Sequence, residues 1–221
     1  KGGNQAVAAA RLGAQVAFAG AVGDDPFGAE LCAGLQAEGI DTQGVVAVSG
    51  TATGCALIHV RPDGDNAITV LPGANRHAPL PPLAWPAAWR CLLLQGELPM
   101  PTTVAWARAA RAAGAKVILN AAPMADLPAD LLSALSLLVV NEGELQALVG
   151  PQRSLPAALQ AAARRGPRRV VVTLGAQGCL AWDEGRLLRQ PGREVAVVDT
   201  TGAGDAFVGA LAAALWRQQP F

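Results

Sequence analysis

From Cys91 onward, short apolar runs alternate with helix-like segments, and this alternation limits the possible folds more than any other feature of the chain. Residues 91–95, 116–120, 137–141 and 169–174 read as buried strands; 102–113, 131–135, 142–148 and 155–164 read as helices between them. Strands separated by helices cross over to lie parallel, which builds a sheet with helices on both faces. After residue 174, Gly175-Ala176-Gln177-Gly178 turns the chain into a run at 180–183, and Asp183-Glu184-Gly185 turns it again into 186–190. A last apolar run, 194–198, is expected to be a strand leading into Asp199-Thr200-Thr201-Gly202-Ala203-Gly204-Asp205 and a helix to Trp216.

The first third of the chain differs. A helix over 5–12 ends at Gly13, a strand follows at 16–22, and Asp25-Pro26 opens a helix that Gly39 stops. Residues 45–48, 56–61 and 67–71 are short β-type runs expected to form a local antiparallel segment, with Pro62-Asp63-Gly64-Asp65 as the turn between the last two. The expected architecture is one α/β domain over 1–221, a mainly parallel sheet between helical layers, with a small β appendage within about 44–75. The chain starts at Lys1 without a Met and stops just after Arg217-Gln218-Gln219, so it is expected to be cut at both ends.

Composition narrows the partners. Lys plus Arg equals Asp plus Glu at 17 each, which gives no electrostatic reason to expect nucleic acid or an anionic membrane. Apolar residues are 52% of the chain, yet no run approaches the roughly 20 residues a membrane span needs. Cys32, Cys55, Cys91 and Cys179 are scattered, without C-x-x-C or nearby His, and read as reduced core residues suited to the cytoplasm. His59 and His77 fall in or beside the β appendage and read as surface or packing residues.

The chemistry concentrates at 199–205. Gly202 and Gly204 offer no side chain against a close approach, and the unpaired N–H groups of a helix start, aided by the helix dipole, suit an anion. Asp205 in the first turn can accept a proton from an attacking hydroxyl, or can simply cap the helix; spacing supports both. No G-x-x-x-x-G-K-[ST] and no G-x-G-x-x-G after a strand is present, which leaves this late turn as the phosphate site.

The segment D-T-T-G-A-G-D-A-F-V-G-A, 199–210, resembles the C-terminal signature of the ribokinase-like (PfkB) carbohydrate kinase family. K-G-G-N-Q-A with Gly13 and Gly23 resembles its N-terminal signature, and the resemblance extends over essentially all 221 residues. It implies a ribokinase-like three-layer α/β/α sandwich whose β segments form a lid and often mediate a homodimer. It further implies an ATP-dependent, Mg²⁺-requiring sugar kinase, K⁺-activated, with Asp205 as base and the Gly202, Ala203 and Gly204 amides as anion hole.

By the same resemblance, Lys1, Gly2, Asn4, Glu97 and Asp205 contact the sugar; taken alone, Asn4 could be a helix cap and Glu97 an ordinary loop acid. Asn141, Thr173, Gly175, Ala176, Gly178 and Gly204 correspond to nucleotide-binding positions, with Glu144 holding Mg²⁺ through water, and Asp199 and Thr201 holding K⁺. Ala52-Thr53-Gly54-Cys55-Ala56-Leu57-Ile58, Asp63-Gly64-Asp65-Asn66 and Gly73-Ala74-Asn75 favour D-ribose, phosphorylated at the 5-hydroxyl, as acceptor. Fructose, 2-keto-3-deoxygluconate or a nucleoside is the alternative within the family; a non-catalytic sugar- or nucleotide-binding relative is the alternative outside catalysis. A flavodoxin-like regulatory domain shares the architecture but explains neither signature.

Overall fold

In the computed structural model, which describes residues 1–60, 66–81 and 85–219, the side chains of four parallel strands alternate strictly between two apolar layers. The strands are β5 (Cys91–Gln95), β6 (Lys116–Asn120), β7 (Leu137–Asn141) and β8 (Arg169–Thr173). Val117, Leu119, Leu138, Val140, Val170 and Val172 face one layer; Ile118, Leu137, Val139 and Val171 face the other. A period of two with apolar residues on both sides is what a sheet covered on both faces requires. The elements ahead of these strands are α1 (Gly2–Arg11), β1 (Ala17–Gly23), α2 (Pro26–Ala37), β2 (Asp41–Val48), β3 (Cys55–Val60) and β4 (Asn66–Leu71). Those interleaved with them and following are α3 (Met100–Ala112), α4 (Ala129–Ala134), α5 (Glu142–Val149), α6 (Leu155–Ala163), β9 (Cys179–Asp183), β10 (Arg186–Gln190) and α7 (Ala203–Trp216).

The first layer is built by α3, α4, α5 and α6 through Trp106, Ala110, Leu131, Leu145 and Leu159; the second by α7 through Val208, Ala212 and Leu215, with α1 packed on α7. The sandwich therefore has three layers. Its six-stranded sheet runs β10-β9-β8-β7-β6-β5, parallel from β5 to β8 and antiparallel where β9 and β10 return as hairpins. The helix α7 is tied down at its far end by Lys116, whose Nζ donates to the Leu215 carbonyl at 3.1 Å, a cation at a helix C-terminus.

Three expectations need correction. The run at 45–48, expected in the local antiparallel segment with 56–61 and 67–71, instead lies in β2, which pairs in parallel with β1 as a two-stranded sheet apart from the six-stranded one, while β3 and β4 form the expected antiparallel pair. Residues 194–198 form no strand, because no described strand runs alongside to take their hydrogen bonds, and Val195, Val197 and Val198 are exposed despite being apolar. The cysteines are free, but none is a fully buried core residue: Cys55 is exposed and the others are half-buried. Burial still pushes the Cys91 thiol up to about 12, so it stays protonated and inert. The turn at Pro62-Asp63-Gly64-Asp65 lies outside the described residues.

Candidate active site

The last residue of each of the four parallel strands is polar: Gln95 on β5, Asn120 on β6, Asn141 on β7 and Thr173 on β8. In open α/β sheets ligands gather at this carboxyl rim, and here the N-termini of α1 and α7 reach the same rim. Gly202, with φ +75°, sits in the left-handed region that turns the chain into α7; a side chain there would be strained.

Asp205 follows in the first turn, 7% exposed, and no side chain caps the helix. Its carboxylate is held from α1 instead: Asn4 Nδ2 donates to Oδ2 at 3.0 Å and Gln5 Nε2 to Oδ1 at 2.9 Å. The capping reading of Asp205 therefore fails, and so does that of Asn4, whose amide turns to Asp205 while the α1 N-cap, Lys1, makes no side-chain cap bond. The N–H of Ala203 donates to the Thr200 carbonyl at 3.1 Å. Among the described residues no acceptor takes the N–H of Gly202, Gly204 or Asp205, so these three, rather than Gly202, Ala203 and Gly204, are the amides at this turn open to an anion.

Lys1 and Glu97 come together, the Lys1 backbone nitrogen 2.9 Å from Glu97 Oε2, and Gly2 lies against Gln95 and Phe18. Asn141 and Glu144 form a capping box on α5: Asn141 Oδ1 accepts from the Glu144 N–H and Glu144 Oε2 from the Asn141 N–H, each at 2.8 Å. Burial pushes the Glu144 carboxyl above the usual carboxylate range, against the opposing pull of the Asn141 N–H and the charge of Lys1.

Thr173, Gly175, Ala176 and Gly178 lie at the β8–β9 turn, with Gly175 and Gly178 both at positive φ. A Cβ on Gly178 would lie 2.1 Å from the Gln190 carbonyl oxygen, so these glycines are required by the hairpin whatever else they do. Asp199 and Thr201 are exposed; the Thr201 N–H donates to Asp199 Oδ1 at 2.8 Å and, with the Thr201 hydroxyl, holds the Asp199 carboxyl below its ordinary range.

Two features escaped the sequence. Gln5, fully buried, joins Asp205 to Asn120 and Gln95, whereas an isolated Gln in an Ala-rich helix carries no local signal of such a role. Asp25 is more than a helix cap: it accepts from the Gly28 N–H, the Thr53 N–H and, at 2.6 Å, the Thr53 hydroxyl, which hold its carboxyl below the usual range. This ties the Ala52-Thr53-Gly54 segment to the end of β1, where Gly23 also donates to Thr53 Oγ1. The D-P pair at the helix start pointed only to the cap.

Two cavities lie at the opposite pole of the sheet. One, of about 580 Å³, is lined by Arg164, Arg168, Trp182 and Glu184, and the next by Arg111, Lys116 and Arg169; neither includes a residue of the rim. What marks the rim site is its converging polar groups, Asn4, Gln5, Asn120 and Asp205.

The chain and its fold are similar to those of known proteins. The ribokinase of Haemophilus influenzae is 38% identical across the whole of this chain and 75% of its own length. The deoxyribokinase of Salmonella typhi is 34% identical over 96% of this chain and 72% of its own. Among solved structures, Arabidopsis thaliana ribokinase complexed with ribose and ATP superposes with a TM-score of 0.88 at 31% identity, covering 99% of this chain and 75% of that one. The model of the pfkB family of carbohydrate kinases matches residues 1–221. A three-layer sheet with a buried carboxylate beside open helix-start amides, together with these matches, makes this chain a member of the pfkB carbohydrate kinase family, phosphotransferases with an alcohol group as acceptor.

Proposed function

We propose that the protein transfers the γ-phosphoryl group of ATP to the 5-hydroxyl of D-ribose, acting as a ribokinase. The observation that carries this reading is Asp205, buried, oriented by two amides from α1, and set in the same helix turn as the free N–H groups of Gly202 and Gly204. A carboxylate has about four lone-pair sites and two are taken, which leaves room for a sugar hydroxyl. Asp205 accepts the proton of that hydroxyl as it attacks, and the open amides at the start of α7 stabilise charge on the transferring group. Lys1, Gly2, Asn4 and Glu97 bind the sugar; Asn4, whose Nδ2 donates to Asp205, has its Oδ1 to offer a hydroxyl. Asn141, Thr173, Gly175, Ala176, Gly178 and Gly204 border the nucleotide.

The donor set fits Mg²⁺ in its usual kinase form. Among the described residues no three His, Cys, Asp or Glu side chains cluster, and a lone carboxylate, Glu144, suits an ion that keeps its waters and shares phosphate oxygens. Bound there, Mg²⁺ would neutralise phosphate charge. Asp199, exposed and held ionised, and Thr201 would contribute to a K⁺ site. Glu144→Gln separates metal binding from capping, since Gln completes a capping box equally well. The expected result is an unchanged melting temperature with the half-saturating Mg²⁺ concentration raised about tenfold; a fall in melting temperature at unchanged Mg²⁺ dependence would leave Glu144 a cap only.

The whole chain acts as a single carbohydrate-kinase domain, with β2, β3 and β4 as a lid that excludes competing water. Val46, Leu57, Val70 and Leu71 are exposed on these strands, which supports a homodimer through the lid. The free cysteines favour a reducing cytoplasm; among the described residues no helix is long and apolar enough to cross a membrane. The deciding assay is ADP release by the complete gene product with ATP, Mg²⁺ and K⁺, offering ribose, 2-deoxyribose, fructose, 2-keto-3-deoxygluconate and adenosine separately. Ribose is expected to give the highest kcat/KM; another acceptor ahead of it would overturn the substrate but not the phosphotransfer, and turnover with none would overturn both.

A further inference from the structure

We infer that Gln5 is a positioning residue for Asp205, holding the base carboxylate in its working orientation through a chain of amides anchored on the sheet. The inference builds on Asp205 acting as the base. Gln5 is wholly buried, and its Nε2 donates both to Asp205 Oδ1 at 2.9 Å and to Asn120 Oδ1 at 2.9 Å. Its Oε1 accepts from Gln95 Nε2 at 2.8 Å. Asn120 in turn donates from Nδ2 to the Val139 carbonyl at 3.2 Å, and Gln95 Nε2 lies 3.5 Å from the Leu93 carbonyl.

The polarity of this chain follows from its anchor. A backbone carbonyl only accepts, so Asn120 must turn its NH₂ to Val139 and its oxygen to Gln5. Gln5 must then meet that oxygen with its own NH₂, and the second N–H of the same group is the one left for Asp205. Reversing the Gln5 amide would face its oxygen to two acceptors, Asn120 Oδ1 and Asp205 Oδ1, and its NH₂ to the NH₂ of Gln95. No single flip is tolerated without a second, so the carboxylate always meets a donor. Asn4, by contrast, holds Oδ2 at the more exposed end of the site, where sugar competes for it. Gln5 is thus the fixed partner and Asn4 the adjustable one, and the fixed partner bridges the last residues of β5 and β6 to the first turn of α7.

The test is a mutant cycle between Gln5→Met, which keeps length and apolar bulk but removes the amide, and Asp205→Asn, read as kcat and KM for ribose and ATP in the complete gene product. Gln5→Met is expected to lower kcat about 10–100-fold with both KM values within about threefold, and to cost less than about threefold when Asp205 is already Asn. Equal losses in both backgrounds, or losses confined to KM, would mean that Gln5 only supports the fold, and the inference would fall. Should Gln5→Met not fold, Gln5→Asn, which keeps a buried amide but withdraws it by one methylene, goes through the same cycle with the same expectation. If Asp205→Asn retains full kcat, the base reading fails and takes this inference with it. If Asp205→Asn is inactive while Gln5→Met turns over normally, the base stands and only the positioning role is lost.

Discussion

Asp205→Asn is expected to lower kcat by about 10²–10⁴-fold while ATP and sugar affinities stay within a few-fold. The substitution changes no volume, and the Asn oxygen can still accept from Gln5 or from Asn4, so the start of α7 keeps its place. The new NH₂ meets one N–H donor where an oxygen stood, and Asn4, at the open end, is the one able to turn away. What disappears is the lone pair that receives the hydroxyl proton, an interaction made only as the bond forms, and such losses fall on kcat rather than on KM. Steady-state ADP release together with calorimetric titration of ATP would check both halves. Retention of more than about a tenth of the activity would mean that geometry alone drives the transfer.

Gly209→Ala should have the second-largest effect, although it touches no ligand. Gly209 lies on α7 where α1 crosses it, and a Cβ there would stand 2.5 Å from the Gln5 carbonyl oxygen and 2.7 Å from the Ala8 Cβ. Ala favours a helix over Gly by about 1 kcal/mol, but overpacking costs about 1–3 kcal/mol, and the obstacle is backbone that only a shift of α1 can relieve. A fall in melting temperature of a few degrees is therefore expected. The functional cost is larger, because α1 carries Asn4 and Gln5 and α7 carries Asp205; a displacement of about 1 Å between them can cost up to about 100-fold in kcat. Gly34→Ala on α2, where a Cβ meets nothing within 4 Å, is the matched control and should leave both quantities unchanged or raise the melting temperature slightly. Wild-type kcat in Gly209→Ala would show that the α1–α7 spacing is not critical.

Much of the site is written locally. The alternation of Val117, Ile118 and Leu119, or of Leu137 to Val140, specifies strands covered on both faces, and the D-T-T-G-A-G-D turn announces itself by two glycines before an apolar helix. Asp205 and the turn glycines were legible for that reason. Gln5 and Asn120 were not, because the bond between them joins residues 115 apart and that from Gln5 to Asp205 residues 200 apart, and nothing in an Ala-rich helix or at a strand end records such a partner. Pairing was hidden too: periodicity identifies β1 and β2 as strands but does not say that they pair with each other and stay apart from β5. At 194–198 the same periodicity misled, since a strand pattern becomes a strand only where a neighbour accepts its hydrogen bonds.

One short strand holds α7 at both ends. Lys116, the first residue of β6, bonds the Leu215 carbonyl at the helix's far end, and Asn120, its last, reaches Asp205 through Gln5. The helix, about 21 Å long at 1.5 Å per residue, is thus seated like a beam on two supports set in the same wall. It cannot slide along its axis without breaking both joints, so the height of Asp205 above the sheet is gauged partly from the opposite pole of that sheet.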